Sequence, residues 1–471
     1  MDTKKLRQKI LDLAIRGKLV PQDSNDKPAS VLLERIRAEK ERLIKEGKIK
    51  RSKKTTSDTP HYENLPYDVP RGWEWQKLGD IGTWQSGATP SRLNKDYYGG
   101  DIPWLKTGDL NDGFIYEIPE TITQKALEET SVKLNPAGSV LIAMYGATIG
   151  KVGILSFPAT TNQACCACVN YQGIEQMYLF YFLLSHKEEF LLLGGGGAQP
   201  NISKEKIVDT FIPIPPLLEQ KRIVNAIEQW FNLIESLETV KEDLQMYIAQ
   251  AKSKILDHAI HGKLVPQDPN DEPAIELLKR INPKFIPCDN AHDTNQLPKS
   301  WCWATLGNIF QHNTGKALNK SDSLEGTLKP YLTTSNVYWD SFDFTEVKQM
   351  YFKDSEIDKC TVQKGDLLVC EGGDIGRAAI WNYDHDICIQ NHIHRLRAKG
   401  MIDHRLYLYV LMLYKWTDKI HGKGIGLQGL SSGLLDKLII PVSPYNEQKR
   451  IVAKIEELFA VLDEIKESLE A

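Results

Sequence analysis

His392 and His394 stand two positions apart, with Cys370 and Cys388 near them in sequence, and Cys165, Cys166 and Cys168 form a second tight group. Imidazole and thiolate are the usual ligands of zinc, so the first chemistry to weigh is a metal site. The spacings do not suit one. The 165–168 group has no matching His or Cys ligands at metal spacing, and neither histidine has an equivalent in the first half of the chain. Gly194 to Gly197 reads as a flexible loop, not a phosphate loop, because the GK[ST] ending is missing. No glycine-rich S-adenosylmethionine motif, no Asn-Pro-Pro-Tyr or Asp-Pro-Pro-Tyr tetrapeptide and no Walker A motif is found. Acidic residues two before a lysine, such as Glu46 and Lys48, fall in loose charged sequence, whereas a nuclease centre needs carboxylates converging from a rigid sheet. The expectation is a chain with no catalytic residue, no metal and no cofactor of its own.

Binding chemistry is better supplied. The stretch SGATPSRLNKDYYGGDIPWLKTGDL sets Ser86, Thr89, Ser91, Arg92, Lys95, Tyr97 and Lys106 among glycines and prolines, and Tyr145, Lys151, Asn162 and Gln163 follow. A second territory offers Lys316, Lys320, Lys329, Tyr331, Thr333, Thr334 and Asn336, then Arg377, Gln390, Asn391, His392, His394 and Arg395. Amides pair bidentately with adenine and Arg or Lys with guanine, while hydroxyls and aromatics serve phosphate and packing contacts. These are the candidate DNA-binding residues. Taken singly, each is an ordinary surface or turn residue. On a strand, His392 and His394 would face the same side.

The elements that must position them are written twice. ILDLAIRGKLVPQD from Ile10 and ILDHAIHGKLVPQD from Ile255 agree at twelve of fourteen positions. Trp73-Glu74-Trp75 and Trp301-Cys302-Trp303 are related by a shift of 228, as are the exits FIPIPPLLEQKRIV from Phe211 and IIPVSPYNEQKRIV from Ile439. Between these frames lie mixed units of short strands, SVLIAM from Ser139 and DLLVCE from Asp366, and helical runs Ile174 to Leu191 and His404 to Ile420. After Pro216, apolar residues at three- and four-residue spacing predict one long amphipathic helix ending near Gly262, roughly forty residues and on the order of 60 Å. The tail repeats this helix through the equivalent of Asp243, and the head resumes it at the equivalent of Met246. The two chain ends are therefore expected to build a second rod, antiparallel to the first; the alternative is that the end helices pack on their own domains.

The fold class expected is mixed α/β, with two globular domains separated by a pair of long antiparallel coiled-coil helices and an internal pseudo-two-fold repeat. The expected divisions are an N-terminal helical region and basic linker (1–64), a first globular domain (65–212), a central helical region (213–294), a second globular domain (295–440) and a C-terminal helix (441–471). A length of 471 residues suits two or three domains. A net charge of −4 weighs mildly against a chain that wraps nucleic acid unaided. Between Arg35 and Lys54, however, ten basic residues face three acidic ones, either a solvated helix and linker or a phosphate- or partner-facing strip. Neither a signal peptide nor an apolar run of eighteen residues is found, so a soluble cytoplasmic protein is expected.

Over nearly its whole length the chain resembles the specificity subunits of type I restriction-modification enzymes. The resemblance is carried by EQKRIV at Glu219 and Glu447, GKLVPQ at Gly17 and Gly262, P-x-GW-x-W from Pro70, and GATPS at Gly87. The second half departs with P-x-SWCW from Pro298 and NTGKALNKSD where the first has QSGATPSRLNKD, which predicts a different base preference. The resemblance implies two target recognition domains, each reading one half of a split, asymmetric double-stranded DNA site, with the rods setting the unread spacer. It further implies two docked adenine methyltransferase subunits using S-adenosylmethionine, and restriction subunits that translocate with ATP and Mg2+. The twin EQKRIV exits suggest two like docking surfaces, with Glu219, Gln220, Arg222, Gly17 and Lys18 on one and Glu447, Gln448, Arg450, Gly262 and Lys263 on the other. Two other readings stay open: service to a single combined methylase-nuclease polypeptide, and a scaffold that bridges two proteins without touching DNA.

Overall fold

The computed structural model describes residues 2–47, 65–195, 201–289, 296–318, 326–420 and 429–470. Two compact units divide the chain at Val240 and Lys241. Lys320, much of the basic strip beyond Gly47, and Gly196 and Gly197 lie outside the described residues.

Each unit has the same plan, beginning and ending on a helix with a small α/β body between. In the first, the body opens on strand Glu74–Lys77 and closes on Phe211–Ile214, paired antiparallel so that Trp75 faces Pro213. In the second, Cys302–Thr305 pairs with Ile439–Val442, and Trp303 faces Pro441. A two-stranded ribbon tolerates proline because no third strand needs its missing N–H. The ribbon brings the two ends of each body together, so everything between can vary without moving the frame.

Within the first body a five-stranded sheet runs in the order Gly82–Ser86, Cys165–Asn170, Val140–Ala143, Val152–Leu155, Gly113–Ile115. Its pairs are antiparallel except the last. A three-stranded sheet around Tyr98–Leu105 lies beside it in the chain's course. The second body has two four-stranded sheets. One is ordered Phe310–Thr314, Ile393–Ala398, Leu367–Cys370, Ala378–Ile380, and the other is built on Thr327–Leu332 and Ile387–Ile389. Val140–Ala143 and Leu367–Cys370 are buried at every residue, as suits inner strands covered on both faces. Helices Gln176–Ser185 and His404–Trp416 pack on these sheets through Tyr178, Leu179 and Phe182, and Tyr407, Leu408 and Leu411. The helical run expected from Ile174 to Leu191 is broken at His186, with Lys187–Leu193 a second helix.

The long helix is present and spans Leu217–Ile260, 44 residues, about 66 Å at 1.5 Å per residue. It belongs to the first unit up to Val240 and to the second from Lys241. Its end and that of the head helix Thr3–Ile15 are capped alike. Gly17 and Gly262 adopt φ of +66° and +65°, and the following lysines return their N–H to Leu13 and His258, both at 2.8 Å.

Antiparallel helix pairing holds inside each unit. In the first, Arg7 near the start of the head helix forks onto Glu238 at 2.8 and 2.9 Å, while Asp26 beyond its end pairs with Arg222. The Arg7 fork holds the Glu238 carboxyl at about 2. In the second, the tail helix Tyr445–Glu470 lies beside the later part of the long helix, with Lys252 paired to Asp463 and 4.9 Å from the Phe459 ring centre. No described helix is long and apolar enough to cross a membrane.

Candidate nucleic-acid interface and the frame that holds it

The motif EQKRIV begins with a carboxylate that almost no solvent reaches. Glu219 and Glu447 are each 1 % exposed. One oxygen of Glu219 accepts the Trp73 indole N–H at 3.0 Å and the other accepts from the Gln22 amide at 3.1 Å. Glu447 repeats this with Trp301 at 2.9 Å and with Gln267. The neighbouring glutamines are also internal. Gln220 accepts from the Glu175 amide at 2.8 Å and donates to the Pro215 carbonyl at 3.0 Å. Gln448 accepts from Asp403 and donates to Ser443, both at 2.9 Å. Arg222 and Arg450 then pair with Asp26 and Asp271, each at 2.6 Å, and Ile223, Ile227, Ile451 and Ile455 enter the cores.

The motif is therefore a joint. It ties the GKLVPQ loop, the Trp-x-Trp opening and the α/β body to the start of one helix, at equivalent residues in both units. Glu219, Gln220, Glu447 and Gln448, expected as partner-docking side chains, face inward, because a carboxylate or amide with every polar atom satisfied inside has nothing left for a partner. Gly17 and Gly262 also act internally: a Cβ there would stand 2.3 Å from Pro70 Cγ and 2.4 Å from Pro298 Cγ. Lys18 and Lys263 are the members of the expected docking set that are exposed.

Many of the candidate base-reading residues, though not all, sit at one end of each main sheet. In the first unit Ser86 pairs with Cys166 and Ala143 with Cys165, so the segments after Ser86, after Ala143 and before Cys165 leave together. Gly87 lets two of them touch: its N–H donates to Cys165 O at 3.0 Å, and a Cβ would lie 2.1 Å from Thr161 O. Thr89 bonds Gln163 across the gap. Arg92 lies 4.4 Å from the Tyr98 ring centre and 5.1 Å from that of Trp104. It shares Glu120 with Lys106, and Arg92 first among these cations draws the Glu120 carboxyl below its ordinary range.

Ser86, Thr89, Ser91, Arg92, Lys106, Tyr145, Asn162 and Gln163 thus gather at one end, with the buried Asn162 Oδ1 lacking a hydrogen-bond partner. Lys95 and Tyr97 lie toward helix Gln124–Glu129, where Tyr97 bonds Glu129 at 3.1 Å. The Lys151 ammonium reaches the Leu110 carbonyl at 3.4 Å.

The second unit builds the same end with different side chains. Thr314 pairs with His394 and Cys370 with Ile393. Gly315 takes the place of Gly87, a Cβ there falling 2.1 Å from Ile389 O. Thr333, Thr334, Arg377, Gln390, Asn391 and His392 come together here, Arg377 bonding Thr334 O at 2.6 Å and lying over Tyr338. Others in the expected set are structural. Lys316 is buried against Glu356 and Phe352. Asn336 staples its own turn by donating to Asp343 O and Glu346 O, both at 2.9 Å. Tyr331 is core, and Lys329 is half-buried on the same strand.

His394 and Arg395 are 0 % and 2 % exposed, Arg395 donating to Asp358 O at 3.0 Å and Asn313 at 2.8 Å. His392 precedes the strand and is exposed, so it does not share a face with His394. Among the described residues no group of three His, Cys, Asp or Glu could hold a metal. The residues missed from sequence were Gln22, Asp26 and Trp73 with their equivalents Gln267, Asp271 and Trp301; their recurrence in both copies was the available signal.

The model of the type I restriction modification DNA specificity domain matches residues 70–246 and again 298–471. The EcoAI specificity subunit of Escherichia coli is 26 % identical, the match covering 98 % of this chain and 90 % of that one. The MjaIX specificity subunit of Methanocaldococcus jannaschii is also 26 % identical, with 83 % and 88 % covered. Among solved structures, the HsdS subunit from Thermoanaerobacter tengcongensis superposes with a TM-score of 0.52 at 19 % identity, covering 86 % of this chain and 95 % of that one. A chain solved under the description "complex assembly and conformational transition of the type I R-M system" gives 0.60 at 19 %, covering 86 % and 94 %. At these identities the structural likeness is one of fold.

Proposed function

Because this chain belongs to the type I restriction-modification DNA specificity family, and is thereby a non-catalytic DNA-recognition subunit of such a complex, we propose that each unit reads one half of a split, asymmetric target through the loop end of its main sheet. The observation that carries this reading is the pairing of a repeated frame with unrepeated tips. Glu219 and Glu447, Gly87 and Gly315, and the two ribbons recur position for position, while the tips carry Thr89, Arg92 and Gln163 in the first unit and Thr334, Arg377 and Asn391 in the second. A common frame with different donors suits two different base sequences.

The bodies at 65–212 and 295–440 are the readers, and the helical regions 1–64, 213–294 and 441–471 are the spacer and docking parts. Two copies of an adenine methyltransferase dock, one per joint, and bring S-adenosylmethionine; restriction subunits bring ATP and Mg2+. Phosphate contacts from those partners account for an acidic chain that acts on DNA.

Inserting one or two helical turns between Glu235 and Leu244 tests the reading. The methylated motif should keep both half-sites and gain spacer length, since each turn adds about 5.4 Å against about 3.4 Å per base pair. Altered half-sites with an unchanged spacer would overturn it.

A further inference from the structure

His394 was expected to touch DNA and instead ends a buried relay. Asp436 Oδ1 lies 2.8 Å from His312 Nδ1, His312 Nε2 lies 2.9 Å from His394 Nδ1, and His394 Nε2 lies 2.7 Å from the Leu430 carbonyl. The His312 side chain is 6 % exposed and that of His394 is fully buried.

Counting protons fixes the state of this relay. The Leu430 carbonyl can only accept, so His394 Nε2 carries a proton. The Asp436 contact needs another proton, and the contact between the rings needs a third. Two neutral histidines and an ionised carboxylate supply two. With only two, either the two ring lone pairs face each other at 2.9 Å or the His312 Nδ1 lone pair faces the Asp436 carboxylate at 2.8 Å.

We propose that Asp436, His312 and His394 hold one extra proton and act as positioning residues for the reading end of the second unit, so that recognition of one half-site depends on pH and the other does not. This rests on the split-target reading above. Burial lowers the proton affinity of His394, and the Asp436 carboxylate stands 2.8 Å from the far side of His312. Among the described residues, the other titratable groups facing the pair are Glu371 and, through it, His392, whose Nδ1 is 3.5 Å from Glu371 Oε2.

What the relay positions is the reading end itself. Leu430 is held on both sides, its N–H donating to Glu371 O at 2.9 Å and its C=O accepting from His394, and Glu371 N donates to His392 O at 2.9 Å. The first unit cannot do this. A shift of 228 places Trp84, Cys166 and Val208 at the positions of His312, His394 and Asp436, and the Trp84 indole bonds Leu78 O instead. One molecule therefore carries the switch and its control.

The experiment is competition binding by the assembled complex, using target DNA and two single-base variants, one in each half-site, between pH 6.0 and 8.5. Discrimination at one half-site should fall by about tenfold as the pH rises, the scale of one lost hydrogen bond, and stay level at the other. Asp436→Asn should move the fall to lower pH, and His312→Gln should abolish the pH dependence; a packing role would leave the profile unmoved. Equal pH response at both half-sites, or none at either, overturns the relay while the split reading stands. Absence of discrimination at both half-sites at every pH overturns the split reading and the relay with it.

Discussion

Glu219→Gln probes the joint most directly, because it keeps the shape and removes one acceptor. Both carboxylate oxygens are in use, for the Trp73 indole at 3.0 Å and the Gln22 amide at 3.1 Å, in a side chain 1 % exposed. An amide has one oxygen, so its NH2 must face one of these two donors. A hydrogen bond to a charged group contributes about 1.5–3 kcal/mol and a stranded buried donor costs about 1–3 kcal/mol. Removing a buried charge offsets part of this, which leaves a net cost of about 2–3 kcal/mol. At about 2–4 °C per kcal/mol for a unit of this size, Tm should fall by roughly 5–10 °C in calorimetry of the full chain. The decisive form is a cycle with Trp73→Phe. The two changes share one bond, so their costs should couple by about 1 kcal/mol or more. Strictly additive costs, or a Tm within about 1 °C of the parent, would refute the joint.

Other outcomes follow from the same geometry. Gly17→Ala meets both a positive φ and Pro70 Cγ at 2.3 Å and should cost about 2–4 kcal/mol, whereas Gly47→Ala, also at positive φ but with nothing within 4 Å, should cost about 1 kcal/mol, as thermal melts will show. Gly315→Ala places a Cβ 2.1 Å from Ile389 O at the reading end; DNA competition should show weakened discrimination at one half-site only. Burial raises the Glu447 carboxyl above its ordinary range, against the bonds from Trp301 and Gln267 that lower it. A carboxyl raised in the fold penalises the fold when ionised, so its unit gains stability as pH falls from 7 through the folded value. Glu447→Gln should lose this gain, and the Tm difference between parent and variant should widen in the parent's favour toward about pH 4.5.

The repeat, the long helix and the absence of familiar catalytic motifs were all legible in the sequence, because duplication and apolar periodicity are one-dimensional signals. The joint was only half legible. Glu219 and Arg222 look like a solvated helix start, and nothing in spacing shows that Trp73 and Gln22 converge on the carboxylate from far along the chain. Alternation also misled at His392 and His394. The strand begins only at Ile393, and Ile393, His394, Arg395 and Leu396 are all buried because both of its faces are covered. At the break His186 leaves helical backbone geometry and turns its ring to Phe182 O at 3.0 Å, a local detail that apolar periodicity does not record.

Adenine methylation mapped across the host genome, with this gene intact and deleted, tests the central claim that two units read two half-sites. Deletion should remove methylation at one motif made of two unlike halves around an unread spacer. Loss of a single uninterrupted motif, or no loss in a host where the partner subunits are expressed, would contradict it.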